Sequence, residues 1–254
     1  MLHPNRVRQK LASGTPVHGL FCSVPAPVLV EMIGWDGYDF VVIDTEHTLV
    51  DPQHLEDLIR AAEATGVTPF VRVPPNDPGA ILRALDAGAL GIVVPHIRTR
   101  ADVDAAIDAA YYAPAGTRSL GGGRAARFGL IDPIEHLRWA NAEIMVIPLI
   151  EDAEAIDAID DILAGGGIGM VLPGPADLSQ SYGVPWQLRH DLVRGAVERL
   201  HAACIAHDVS FCAIARTPER YSYWRGIGVH AFCCGDASNL AAAALRRSLI
   251  DLRG

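Results

Sequence analysis

Lysine is almost missing from this 254-residue chain: Lys10 is the only one, against 21 basic residues in all. Chemistry through a lysine Schiff base needs an amine at the site. Lys10 lies in a predicted opening helix ahead of the first strand, the wrong end of a barrel for chemistry, so that mechanism is excluded. Cysteine pairing is missing too. Cys22, Cys204, Cys212, Cys233 and Cys234 are odd in number and show no CxxC spacing. That pattern suits core thiols in a reducing compartment better than disulfides or a zinc site. No apolar run approaches the roughly 20 residues of a membrane span. A net charge of −9 argues against a nucleic-acid or anionic-membrane partner. Residues 1–10 are polar and hold no apolar signal core, so a cytoplasmic protein is expected. No GxGxxG follows the first predicted strand, and Gly121-Gly122-Gly123 lies in a long connection, so a dinucleotide fingerprint is not expected.

What is present is a repeating alternation. Half the residues are hydrophobic. Short apolar runs are predicted as strands at 17–22, 40–43, 68–71, 91–94, 145–150, 169–172, 209–214 and 230–234. Most are continuous rather than alternating, as strands covered on both faces should be. Helices are predicted between them, several opening on proline and several ending just before glycine. One is expected near 153–163 and one near 188–207. Eight βα units in a chain of this length predict an α/β fold, a single (β/α)₈ TIM barrel spanning 1–254. An alanine-rich helix from Ala237 to Leu252 follows the last strand with no further strand to serve.

In such a barrel the polar residues at C-terminal strand ends read as catalytic. Glu151 closes the fifth predicted strand and Asp177 follows the sixth. Parallel neighbours bring both carboxylates to one face, where the pair repels itself unless a proton or cation lies between them. A hard divalent metal is the most economical occupant. Asp44, Glu46 and His47 leave the second strand together, a set suited to proton transfer because a carboxylate can hold the tautomer of a histidine that titrates near neutrality. Arg72 ends the third strand, where a planar guanidinium fits an anion or an oxyanion. Gly174-Pro175-Ala176-Asp177 predicts a tight turn with outward N–H groups able to hold a carboxylate. His96, the basic loop 118–127 and Asp86 carry weaker signals. Asp86, near a helix end, is equally readable as a capping or solvated acid.

Seven motifs, in order, carry a resemblance: Ile43-Asp44-Thr45-Glu46-His47, Val71-Arg72-Val73, Leu85-Asp86-Ala87-Gly88, Val94-Pro95-His96, Ala113-Pro114-Ala115-Gly116-Thr117-Arg118, Ile150-Glu151 and Gly174-Pro175-Ala176-Asp177-Leu178-Ser179. Together they resemble the HpcH/HpaI aldolases, metal-dependent pyruvate aldolases on a (β/α)₈ barrel. The resemblance implies that Glu151 and Asp177 ligate a divalent cation (Mg²⁺, Mn²⁺ or Co²⁺), with water and substrate completing the shell. It implies Arg72 on the 2-oxo oxygen of pyruvate or oxaloacetate, and the turn at Gly174, through the amides of Ala176 and Asp177, on the substrate carboxylate. His47 would handle the proton, with Asp86 as its partner, from a neighbouring subunit in this family, and Asp44 nearby. The activity implied is a carbon–carbon lyase acting on 2-oxo acids and aldehydes through an enolate. A homohexamer (a trimer of dimers) that exchanges the C-terminal helix is implied as well.

Two departures point to an alternative. Leu149 stands where many family members carry glutamine. The run Leu178–His190 resembles a branch associated with siderophore pathways, whose members form citrate from oxaloacetate and acetyl-CoA. A non-catalytic binding barrel is a third possibility, but it has no need to keep Glu151, Asp177, His47 and Asp86 together.

Overall fold

Proline and glycine punctuate the chain as the sequence predicts, and the apolar runs between them become strands. In the computed structural model, which describes residues 4–254, the strands are β1 (Val17–Cys22), β2 (Phe40–Asp44), β3 (Thr68–Arg72), β4 (Gly91–Val94), β5 (Met145–Ile150), β6 (Leu172–Pro173), β7 (Cys212–Ile214) and β8 (Ala231–Asp236). They form one eight-stranded parallel sheet in the order β6-β5-β4-β3-β2-β1-β8-β7. A parallel bridge between Val171 and Phe211 joins the two outer strands and closes the circle. The result is a (β/α)₈ barrel with helices outside.

Alternation along each strand divides the core in two. In β2, Phe40 and Val42 point into the lumen, packing with Phe70, Val93, Met145, Ile147 and Leu149. Val41 and Ile43 point outward onto the helices. Both faces are therefore apolar, which is why the strand reads as a continuous hydrophobic run. Gly19 shows how tightly the lumen is filled: a Cβ there would lie 2.2 Å from the Phe40 ring.

The same period of two aims the functional residues. Asp44 is two residues beyond Val42, Arg72 two beyond Phe70 and Glu151 two beyond Leu149, so all three turn inward at the C-terminal mouth. The β2–β3 register pairs Asp44 directly with Arg72. At the opposite end, helix α1 (Arg6–Ala12) places Val7 in the lumen cluster, and Lys10 is ion-paired to Asp39 just before β2. The sole lysine is thus at the wrong end for covalent catalysis.

Some elements differ from expectation. The predicted helix 153–163 is two pieces, Ala153–Asp157 and Ile159–Ala164. Asp160 and Asp161 in the second piece favour a fresh helix N-terminus. The helix expected at 188–207 begins only at Asp191. β6 is shorter than predicted, although the Gly169 N–H before it still donates to the Val146 carbonyl of β5 at 2.9 Å. The turn expected after β6 is the first turn of a helix, Pro175–Ser181, because proline at the first helical position presets its φ. Among the described residues no helix is long and apolar enough to cross a membrane.

Candidate functional site

The mouth of the barrel is organised around buried charge. Arg72 and Asp44 form a two-pronged pair: Nε donates to Asp44 Oδ1 at 2.9 Å and Nη2 to Oδ2 at 2.7 Å. Burial opposes the Asp44 charge, but the hydrogen bonds and positive charge of Arg72 outweigh it and hold the carboxyl below its ordinary range. Burial likewise disfavours the Arg72 cation, and Asp44 more than offsets this, raising its pKa. Asp44 Oδ1 also accepts the backbone N–H groups of Glu46 (3.0 Å) and His47 (3.3 Å). Thr45 Oγ1 donates to the Arg72 carbonyl at 2.7 Å, which locks the two strand ends together. Asp44 therefore serves Arg72 and the loop after β2, rather than the His47 ring.

The sign of the Asp44 shift gives a pH dependence. A carboxyl held below its unfolded value of 3.8 stabilises the fold fully above that pH, and the contribution disappears as pH falls through the lower folded value. Urea midpoints measured from about pH 6 to about pH 3 should fall more steeply for the wild type than for Asp44→Asn. Parallel curves would remove Asp44 as the source.

Glu46 is the hub that the sequence signals only as one of a group. Its carboxylate lies 3.3 Å from Arg72 Nη1, 3.8 Å from His47 Nε2 and 3.9 Å from His96 Nε2. His47 itself is mostly exposed, with its side chain 64% accessible at the rim. His96 adopts the left-handed region, φ 53°, uncommon for a residue with a side chain. That conformation turns its N–H onto Glu151 Oε1 at 2.9 Å, while Nδ1 lies 3.2 Å from Asp152. Burial lowers the His96 pKa, but Glu151, Asp152 and Glu46 reverse the effect and raise it. Among the sequence signals, only Pro95-His96 at a strand end points to this histidine.

Glu151 is 3% exposed. Burial pushes its pKa up to about 7; the His96 amide and ring oppose this, while the charges of Asp177 and Glu46 add to the rise. Asp177, half-buried, is near enough for its charge to act on Glu151, although it sits in the first turn of the Pro175–Ser181 helix rather than on β6 itself. Gly174 makes the approach possible, since a Cβ there would lie 2.5 Å from both Cβ and Oε2 of Glu151. No side chain caps that helix, and its first N–H groups have no intrahelical acceptor. Ser179 Oγ accepts the Trp186 amide at 2.8 Å and Ser181 Oγ accepts that of Ala153 at 2.9 Å, tying the Asp177 segment down.

The donor set suits a hard divalent cation. A buried carboxyl that holds its proton to about neutral pH beside a second acid is a place where a cation can replace the proton. Among the described residues no cluster of three or more His, Cys, Asp or Glu forms a closed cage. Two carboxylates would leave the remaining positions of such a cation to water and substrate, as magnesium sites commonly do. Beneath Glu151 the lumen is apolar: Leu149, 3% exposed, faces Leu172 of β6.

Asp86 does not join this group within the chain. It ends the helix Pro78–Asp86 and accepts Arg118 Nη2 at 2.7 Å, on the face away from the mouth.

Residues 18–236 match the family described as HpcH/HpaI aldolase/citrate lyase. A pyruvate aldolase from Rhizobium etli is 35% identical over 76% of each chain. A hydroxypyruvate/pyruvate aldolase from Sagittula stellata is 34% identical over 77% of each. Among solved structures, the citrate synthase SbnG is 40% identical with a TM-score of 0.90, covering 97% of each chain. An HpcH/HpaI aldolase/citrate lyase family protein from Burkholderia cenocepacia is 31% identical with a TM-score of 0.92, covering 98% of this chain and 100% of that one.

Proposed function

The chain belongs to the HpcH/HpaI aldolase/citrate lyase family, and from that membership we propose that it is a divalent-metal-dependent aldolase, a carbon–carbon lyase acting on 2-oxo acids such as pyruvate. The observation that carries the reading is the buried carboxyl of Glu151, near enough to Asp177, Glu46 and Arg72 for their charges to act on one another. Glu151 and Asp177 would hold the cation, Mg²⁺ or Mn²⁺ by the oxygen-only donor set. When bound, it supplies Lewis-acid polarisation of the 2-oxo group, making the adjacent carbon acidic. Arg72, fixed by Asp44, faces the oxygen on which negative charge develops. The first-turn amides of Ala176 and Asp177 receive the substrate carboxylate. His47 at the rim, tethered to Glu46, passes the proton between the acceptor oxygen and water. Asp86 stands apart from His47 in its own chain, so the resemblance would require it to come from a neighbouring subunit.

Citrate formation from oxaloacetate and acetyl-CoA is the second reading. The full-length likeness to a citrate synthase and the apolar Leu149 below the carboxylates favour it. Purified protein offered pyruvate plus aldehydes, and separately oxaloacetate plus acetyl-CoA, with and without chelator, separates the two. The aldolase reading expects chelator-sensitive aldol turnover. Citrate as the sole product would replace it with the second.

Assembly belongs to the same reading. The C-terminal helix (Ala237–Arg253) buries only Ala237 and leaves Leu245 and Leu252 73% and 83% exposed. An apolar row this open calls for a second copy. A chain ending before Ala237 is expected to sediment as a smaller particle than the proposed homohexamer; an unchanged particle would refute helix exchange.

A further inference from the structure

At the opposite end of the barrel lies a cavity of about 290 Å³ that the mouth chemistry does not use. Pro69, Leu90 and Ile144, which line it, are at or before the N-terminal ends of β3, β4 and β5. One wall carries part of an unusual cluster: Arg118 and His136 line the cavity, and Tyr112 packs against them. Arg118, Tyr112 and His136 are 5%, 1% and 3% exposed. Arg118 Cζ stacks 4.6 Å from the centre of the Tyr112 ring, whose centroid is 6.1 Å from that of His136. Six buried side-chain polar atoms lack a hydrogen-bond partner among the described residues, and four belong to these three residues: Arg118 Nε and Nη1, Tyr112 Oη and His136 Nδ1.

Buried polar groups are almost always satisfied, and arginine is rarely buried unless paired. Asp86 takes only Nη2 of Arg118. The unmet atoms can all donate: two guanidinium nitrogens, a phenol and one imidazole tautomer. Burial, with Arg118 close by, lowers the His136 pKa, so its ring is neutral and adds no second charge. Elsewhere the cavity is mainly apolar, with Trp139, Leu90 and Ile144 among its walls, and the acid that lines it, Glu63, is already paired to Arg124. Arg127 and Phe128, both cavity residues, take φ of 51° and 53°. Consecutive left-handed residues with side chains are strained, and such strain gathers at ligand clamps.

We propose that this cavity is a second ligand site, separate from the barrel mouth, for a small aryl or alkyl carboxylate. Its carboxylate meets the unpaired donors of Arg118 and His136, and its apolar body lies against Trp139, Leu90 and Ile144. The volume falls just below the roughly 300–1,000 Å³ of drug-sized pockets, which suits one ring and a short chain. A metabolite of this kind would act on the enzyme from outside the catalytic mouth, whichever reaction occurs there.

The test uses 3-phenylpropionate as probe on the full chain carrying Arg72→Gln, which removes the guanidinium cation of the mouth. Calorimetry is expected to show saturable binding with a Kd of about 1 mM or tighter. The uncharged 3-phenylpropanamide should bind at least about tenfold more weakly, since a charge-assisted hydrogen bond is lost. Arg118→Gln should weaken the acid comparably. His136→Phe, which removes the imidazole donor and keeps a flat ring, should weaken it severalfold and decides the matter if the arginine variant does not fold. A crystal of the complex should show the carboxylate on Arg118. Equal affinity for acid and amide, density at the mouth, or only water molecules on Arg118 Nε and Nη1 would overturn the proposal.

Discussion

Asp177→Asn is expected to lower turnover by at least about a thousandfold, equivalent to roughly 4 kcal/mol of lost transition-state stabilisation. The exchange keeps the shape of the side chain and removes one of the two charges that would hold the cation. The fold should survive, because the Asp177 segment is anchored by bonds to other residues: Ser179 Oγ to the Trp186 amide and Ser181 Oγ to that of Ala153. The same change relieves Glu151 of a neighbouring negative charge, one of the influences that raise its pKa. Loss of activity with an unchanged circular-dichroism spectrum and lost metal affinity is the expected combination. Full activity would refute ligation by Asp177.

Arg72→Lys carries the second large effect. Two guanidinium nitrogens are committed to Asp44 and a third faces Glu46. A lysine ammonium cannot reproduce that fork while also presenting a donor to the substrate oxygen. Turnover should fall by about 10²–10³, the usual result of removing a donor aimed at developing negative charge. Stability should also fall, by about 1–3 kcal/mol, because Asp44 loses a partner in a buried setting. The combination with Asp44→Asn should cost less than the sum of the two changes, since both break one pair. An unchanged rate for Arg72→Lys would remove this residue from the mechanism.

Much of this geometry is legible in the sequence. Period-two alternation in β2, β3 and β5 places Asp44, Arg72 and Glu151 on the lumen side at the correct end, once the chain is read as a parallel barrel. The lysine count by itself excludes Schiff-base chemistry, and the position of Lys10 at the far end of the barrel agrees. Less legible is what depends on backbone conformation outside regular elements. His96 matters here because a left-handed φ aims its amide at Glu151, and local composition does not announce that conformation. Glu46 becomes a hub because three strand ends converge on it, a long-range fact. The helix start that carries Asp177 reads as a turn in the sequence, although Pro175 is the signal that a helix begins. The cluster around Arg118 is visible in the sequence only as a basic loop, because burial of an arginine is set by packing from distant segments.

The central claim is that Glu151 and Asp177 together grip one divalent cation. Anomalous diffraction from crystals grown with Mn²⁺ tests it most directly. A single strong peak is predicted between these two carboxylates, missing in Glu151→Gln crystals grown under the same conditions. A peak held by other residues, or one retained in that variant, would contradict it.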